Sequence, residues 1–138
     1  MSAPHLPSEL VDLIGRYELA FLVSIGDWGP HTTPQHPVLD SDRFHIAAPG
    51  PVTCRNIIAN PAVTLLWPPH TPGGHVLIVD GHAALRDYTL EIVPTQAVLH
   101  HTGTADSMSR KCADCRRYNL APPYMPSRTD QLPRTSRG

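Results

Sequence analysis

Thr53-Cys54-Arg55-Asn56 is the stretch of this 138-residue chain with the clearest capacity for chemistry. It follows a Pro49-Gly50-Pro51 corner and predicts a helix of about two turns that Asn60-Pro61 stops. Thr53 is placed to cap that helix with its hydroxyl. The first turn of a helix offers unpaired N–H groups and the positive end of the dipole. A phosphate suits such a turn, and Arg55 beside it would add a charge-assisted donor. The plain alternative is a capped connecting helix with a solvated arginine, and the local residues leave both readings open.

Other chemistry-bearing residues point nowhere so definite. Cys112 and Cys115 form a Cys-x-x-Cys pair that follows His100-His101, a set from which zinc or a redox dithiol could be built. Between the histidines and the cysteines only Ala105 and Met108 are apolar, too few to fold around a metal, and neighbouring Arg110, Lys111, Arg116 and Arg117 fit incidental reactive thiols in a flexible tail. Nine histidines are present, but His75 and His82 are seven apart on one strand and so face opposite ways, as do His31 and His36. His45 stands alone among apolar neighbours. No metal site is expected. Asp40 and Asp42 flank a turn serine, and Ser24 and Cys54 have no evident base, so no catalytic residue is assigned. Walker-type and Gly-x-Gly-x-x-Gly loops are absent.

The elements that must position the Thr53–Asn56 turn are mainly strands. Sixteen prolines and nine glycines favour short strands and turns over long helices. Leu6 to Arg16 predicts an amphipathic helix capped by Ser8, with Leu10, Leu13 and Ile14 as its apolar stripe. Strands are expected at Glu18–Ile25, His31–Leu39, Phe44–Ala48, Ala62–Trp67, His75–Arg86 and Thr89–His100. Pro34 and Pro37 put the second of these at an edge or a bulge, and Pro94 does the same for part of the sixth. Gly81 marks a bulge or sharp bend in the fifth. Six strands, two short helices and strong curvature predict a mainly β (α+β) chain folded as a small barrel. Several strands are apolar on both faces, so one face needs cover from a helix or a second subunit.

Charge divides the chain in two. Up to Gly103 four arginines stand against nine acids, and from Thr104 onward seven basic residues stand against three acids. Residues 1–103 are expected to form one domain and residues 104–138 a basic, proline-containing, disordered tail. That tail has few aromatics and the core is acidic, so no nucleic-acid partner is expected. The odd count of three cysteines argues against a disulfide scaffold, and no apolar run spans a bilayer. With no signal peptide at its start, the chain is expected to be cytoplasmic, without a membrane partner.

Taken in order, these residues resemble a known family. The run comprises Leu19 to Ile25, Gly29-Pro30-His31 leading to Thr32-Thr33-Pro34-Gln35, and Arg43 to Ala48. Arg55-Asn56-Ile57, Asn60-Pro61, Val63 to Trp67 and Val79-Asp80-Gly81-His82-Ala83 complete it. It is similar to the pyridoxamine 5′-phosphate oxidase-like flavin-binding split-barrel proteins across about residues 6 to 100. The resemblance implies a six-stranded antiparallel split β-barrel with two short helices. It also implies a homodimer with FMN at the interface, or coenzyme F420 in some branches, and an oxidoreductase activity. A non-catalytic split-barrel dimer that binds flavin, haem or another planar ligand is the alternative. The family's phosphate-binding positions map to Thr32, Thr33 and Gln35, to Ala47 and Ala48, and to Thr53, Arg55 and Asn56, with Trp67 near the ring. Ala47 and Ala48 offer backbone contacts alone. Thr32 stands where many relatives have arginine, and Val52-Thr53 where they have lysine. Each missing charge-assisted contact is worth roughly 1.5–3 kcal/mol, about tenfold or more in affinity. The C-terminal Arg-x-His of true pyridoxamine phosphate oxidases is not present, so that activity itself is not implied.

Overall fold

A computed structural model of the chain describes residues 6–101 and 116–120. Helices α1 (Ser8–Ile14) and α2 (Pro51–Ala59) accompany eight strands. The strands are β1 (Ala20–Gly26), β2 (Gly29–Gln35), β3 (Val38–Asp40), β4 (Arg43–Ala47), β5 (Ala62–Trp67), β6 (His75–Arg86), β7 (Thr89–His101) and β8 (Arg116–Asn119). All pairings are antiparallel, in the order β2-β1-β5-β6-β7-β4-β3, with β8 on β7. The two end strands, β2 and β3, are consecutive in the chain and separated by His36-Pro37. The sheet therefore curls until its ends meet at one kinked segment, and no ladder joins them among the described residues. This is a split barrel, mainly β with two helices.

Two differences from the six expected strands have simple causes. Pro37 breaks the second strand into β2 and β3, and the prolines left in β2 are tolerated because β2 has a neighbour on one side only. The second difference is β8, which lies in the segment read from sequence as a disordered tail. Tyr118 packs against the core, and the Leu120 N–H donates to the Thr95 carbonyl at 3.0 Å. Tyr118 Oη and Arg116 Nη1 both donate to Glu9 Oε2, at 2.5 and 2.8 Å. The hydrogen bond from Tyr118, then the Arg116 charge, holds the Glu9 carboxyl below its ordinary value, and the same bond pushes the Tyr118 phenol up. Four residues of the tail are thus strapped to α1 and β7. Cys112 and Cys115 lie outside the described residues.

The bulge expected at Gly81 is present as a register shift between Asp80 and Gly81. A Cβ there would sit 2.6 Å from the Val93 carbonyl oxygen, so only glycine fits. Pro94 lies opposite, in a stretch of β7 that neither β4 nor β8 reaches. Ser8 does not cap α1. It is the first helical residue, so the cap position falls to Pro7, which has no side-chain donor or acceptor.

The barrel interior is filled by Leu22, Phe44, Leu65, Leu77, Leu90 and Ile92, all fully buried, with Leu10 and Ile14 of α1 closing one side. The outer face of the same strands is also apolar. Register aligns Phe21, Leu66, Ile78 and Val98 in one cross-strand row, all half-buried. The next row, Val23, Thr64, Asp80 and Gln96, is polar at its centre. There Thr64 Oγ1 donates to Asp80 Oδ1 at 2.7 Å and Gln96 Nε2 to Asp80 Oδ2 at 3.3 Å.

Candidate functional site

Helix α2 organises the candidate site. It begins at Pro51, a residue suited to the first helical position because its missing N–H would have no intrahelical partner. Gly50, at φ 108°, turns the chain from β4 into the helix, and no side chain caps it. The expected cap at Thr53 is therefore corrected. Pro51 starts the helix earlier, so Thr53 falls inside it and is buried at 1% exposure.

Asn56 is likewise turned inward. Its Nδ2 donates to Ser24 Oγ at 3.1 Å, a buried bond between α2 and β1. Gly26 lies directly against this amide, for a Cβ at Gly26 would be 2.3 Å from Asn56 Oδ1. The amide thus fastens the helix to the turn end of the β1–β2 hairpin. At the other end of α2, Gln35 Nε2 donates to Thr33 Oγ1 at 3.2 Å and to the Pro49 carbonyl at 3.4 Å. That pair ties the end of β2 to the corner from which α2 springs.

Arg55 stays exposed. Its side of the helix, with Val52 and Ala59, faces Asp27, Trp28 and His31 of the hairpin across a concavity of about 510 Å³. Trp28, at the hairpin tip, is 99% exposed. Of the residues expected at a phosphate site, Arg55 and Asn56 line this concavity, while Thr33 and Gln35 gather at the α2 corner. Ala47 and Ala48 are exposed beside that corner, and the Ala48 N–H donates to the Tyr88 carbonyl at 3.1 Å. Thr32 lies on the opposite face of β2 from Thr33 and Gln35. Trp67 is a core residue, 2% exposed, with its ring 5.6 Å from that of Phe44. It cannot reach the concavity, because β5 turns that face of its side chains into the barrel.

From the sequence Trp28 has no assigned role, Ser24 stands only as a hydroxyl without a base and His31 only as a histidine facing away from His36. Trp28 did carry a signal, since a tryptophan in a Gly-Asp-Trp-Gly-Pro turn has nothing local to bury it. A second, shallower concavity of about 330 Å³ lies on the outer face beside Val23, Thr64, Asp80 and His82. His82 Nδ1 is buried there without a hydrogen-bond partner among the described residues. Among the described residues no group of three or more His, Cys, Asp or Glu side chains is arranged to hold a metal. No helix of the described residues is long and apolar enough to cross a membrane.

Solved structures share this architecture. A Clostridium acetobutylicum protein related to general stress protein 26, of the pyridoxinephosphate oxidase family, aligns with 81% of this chain and 92% of its own, at a TM-score of 0.60 and 10% identity. The FAD binding protein of Mycobacterium smegmatis aligns with 67% of this chain and 90% of its own, at 0.51 and 22%. An F420 reductase aligns with 65% and 96%, at 0.51 and 19%. The fold is the split barrel of the pyridoxamine 5′-phosphate oxidase-like proteins. In sequence the chain is 34% identical over 108 residues to two uncharacterized mycobacterial proteins, Mb0449c of Mycobacterium bovis and MT0457 of Mycobacterium tuberculosis. The match takes in 66% of this chain and 76% of each of theirs, and the chain belongs to one family with them. No family model matches it.

Proposed function

We propose that this chain binds a phosphorylated flavin or deazaflavin, FMN or F420, as a homodimer and serves as an oxidoreductase. The observation that carries the reading is Arg55, held exposed over the 510 Å³ concavity by the buried Asn56–Ser24 bond beneath it. The residues present fit such a ligand. The volume lies within the 300–1,000 Å³ range usual for cofactor pockets. One guanidinium can take a phosphate, and the uncapped start of α2 offers backbone N–H groups one turn away. The structural neighbours described as an FAD binding protein and an F420 reductase support the ligand class and do not choose within it.

Bound there, a flavin or deazaflavin supplies the hydride chemistry. The chain's part is to hold the phosphate at Arg55, to orient the ring against the hairpin and to exclude water through a second copy. The half-buried row Phe21, Leu66, Ile78 and Val98 is the surface we assign to that copy. The non-catalytic alternative, a dimer that stores or senses a planar ligand, is favoured by one observation: Thr32 and Val52-Thr53 leave Arg55 as the cation of the site.

Fluorescence titration with FMN and with F420 tests the reading. Arg55→Ala should weaken binding about tenfold or more, whereas Arg16→Ala and Arg86→Ala should leave it unchanged. Equal affinities for all three variants would sink the phosphate assignment. Failure of the unaltered protein to bind either cofactor would sink the ligand class. Mass measurement in solution tests the dimer.

A further inference from the structure

We infer that Trp28 is the stacking platform of this site, its indole lying on the planar ring of the ligand whose phosphate Arg55 holds. This rests on the flavin or deazaflavin reading above. Trp28 is 99% exposed, an arrangement with no folding benefit for so large an apolar side chain. It sits at the tip of a hairpin whose register closes at Gly26 and Gly29, so the indole projects from a defined frame. The strand residues next to that tip are in turn fixed to α2. Gly26 packs on the Asn56 amide and Ser24 Oγ accepts from it at 3.1 Å, which sets the hairpin and Arg55 on opposite walls of one concavity.

The chemistry of the two walls is complementary to one ligand type. On one side stands a cation on a helix, suited to a phosphate. On the other stands a flat, exposed π-face, suited to a heteroaromatic ring. Trp67, the other of the two tryptophans, is buried against Phe44 and cannot perform this role. The specificity that follows is for planar, conjugated ligands over phosphates without a ring.

The test compares Trp28→Phe and Trp28→Ala with the unaltered protein, using FMN and F420 as probes. Trp28→Ala should lose about tenfold in affinity, and Trp28→Phe should retain most of it. A stacked indole should also quench the visible emission of bound FMN, and that emission should rise in Trp28→Phe. Affinity of Trp28→Ala equal to that of the unaltered protein would overturn the inference and leave the flavin reading intact. A loss of binding that tracks dissociation into monomers would overturn it too, by making Trp28 an interface residue. Failure of the unaltered protein to bind either probe would remove both readings together.

Discussion

The inner and outer faces of β1, β5 and β6 have nearly the same composition and opposite fates. Leu65 and Leu66 are adjacent on β5, yet Leu65 is fully buried in the barrel while Leu66 stays half-exposed in the outer row with Phe21, Ile78 and Val98. Each face also carries one polar arrangement. Inside, buried Ser24 accepts from the buried Asn56 amide at 3.1 Å. Outside, Asp80 is held by Thr64 and Gln96 where its surroundings are half-open. An apolar residue on a strand is thus no measure of its worth to the fold. Coverage decides that, and in a single chain the outer row is only half-buried.

This contrast makes the two faces separable by mutation. The largest effect is expected inside, where Leu65→Ala should cost about 2–5 kcal/mol in chemical denaturation. Leu66→Ala, one residue along, should cost far less under conditions that keep the chain monomeric. Equal losses would erase the distinction between the faces. Gly81→Ala comes next, at roughly 1–3 kcal/mol, because a methyl there meets the Val93 carbonyl at 2.6 Å and Ile92 Cγ2 at 2.8 Å.

Ser24→Ala should cost about 1–3 kcal/mol by leaving the Asn56 amide buried without its acceptor. Asp80→Ala, on the outer face, should cost less, since Thr64 and Gln96 can turn to water. A reversed order in thermal melts would mean that the outer cluster is the better-buried one in solution. On the proposed dimer, Ile78→Glu should change monomer stability little and shift the mass in solution from dimer to monomer. An unchanged mass would detach the outer face from self-association.

The smallest effect concerns the strap of β8 on α1. Glu9 is held below its ordinary value of 4.5, so the strap's contribution is present above that value and is lost as pH falls through the lowered folded value. Tyr118 is raised above its ordinary 10, so its contribution is present below 10 and is lost as pH rises through the raised folded value. Hydrogen exchange of the Arg116–Asn119 amides should therefore be slowest, after correction for intrinsic rates, between those two limits. Glu9→Gln should abolish the acid limb.

Much of this could be read from residue order alone. Apolar runs between turn residues located the long strands, Pro34 and Pro37 announced an edge, and Gly81 a bulge, because backbone donors and Cβ clashes are local properties. Helix α2 and the exposed Arg55 were legible for the same reason. Other features depend on partners distant in sequence. Thr53 has the residue type of a cap, but Pro51 starts the helix ahead of it, and the Asn56 amide expected near a phosphate also donates to Ser24 on β1. Trp67, expected near the ring, lies in the core for that reason too. Whether an indole packs on Phe44 or stands in solvent depends on which strand face closes inward. The residues by themselves determined which elements form and where they break, since those follow from backbone chemistry and short-range periodicity. Only the tertiary structure decided which polar groups are spent on packing and which remain free for a ligand, because that depends on what lies across the barrel.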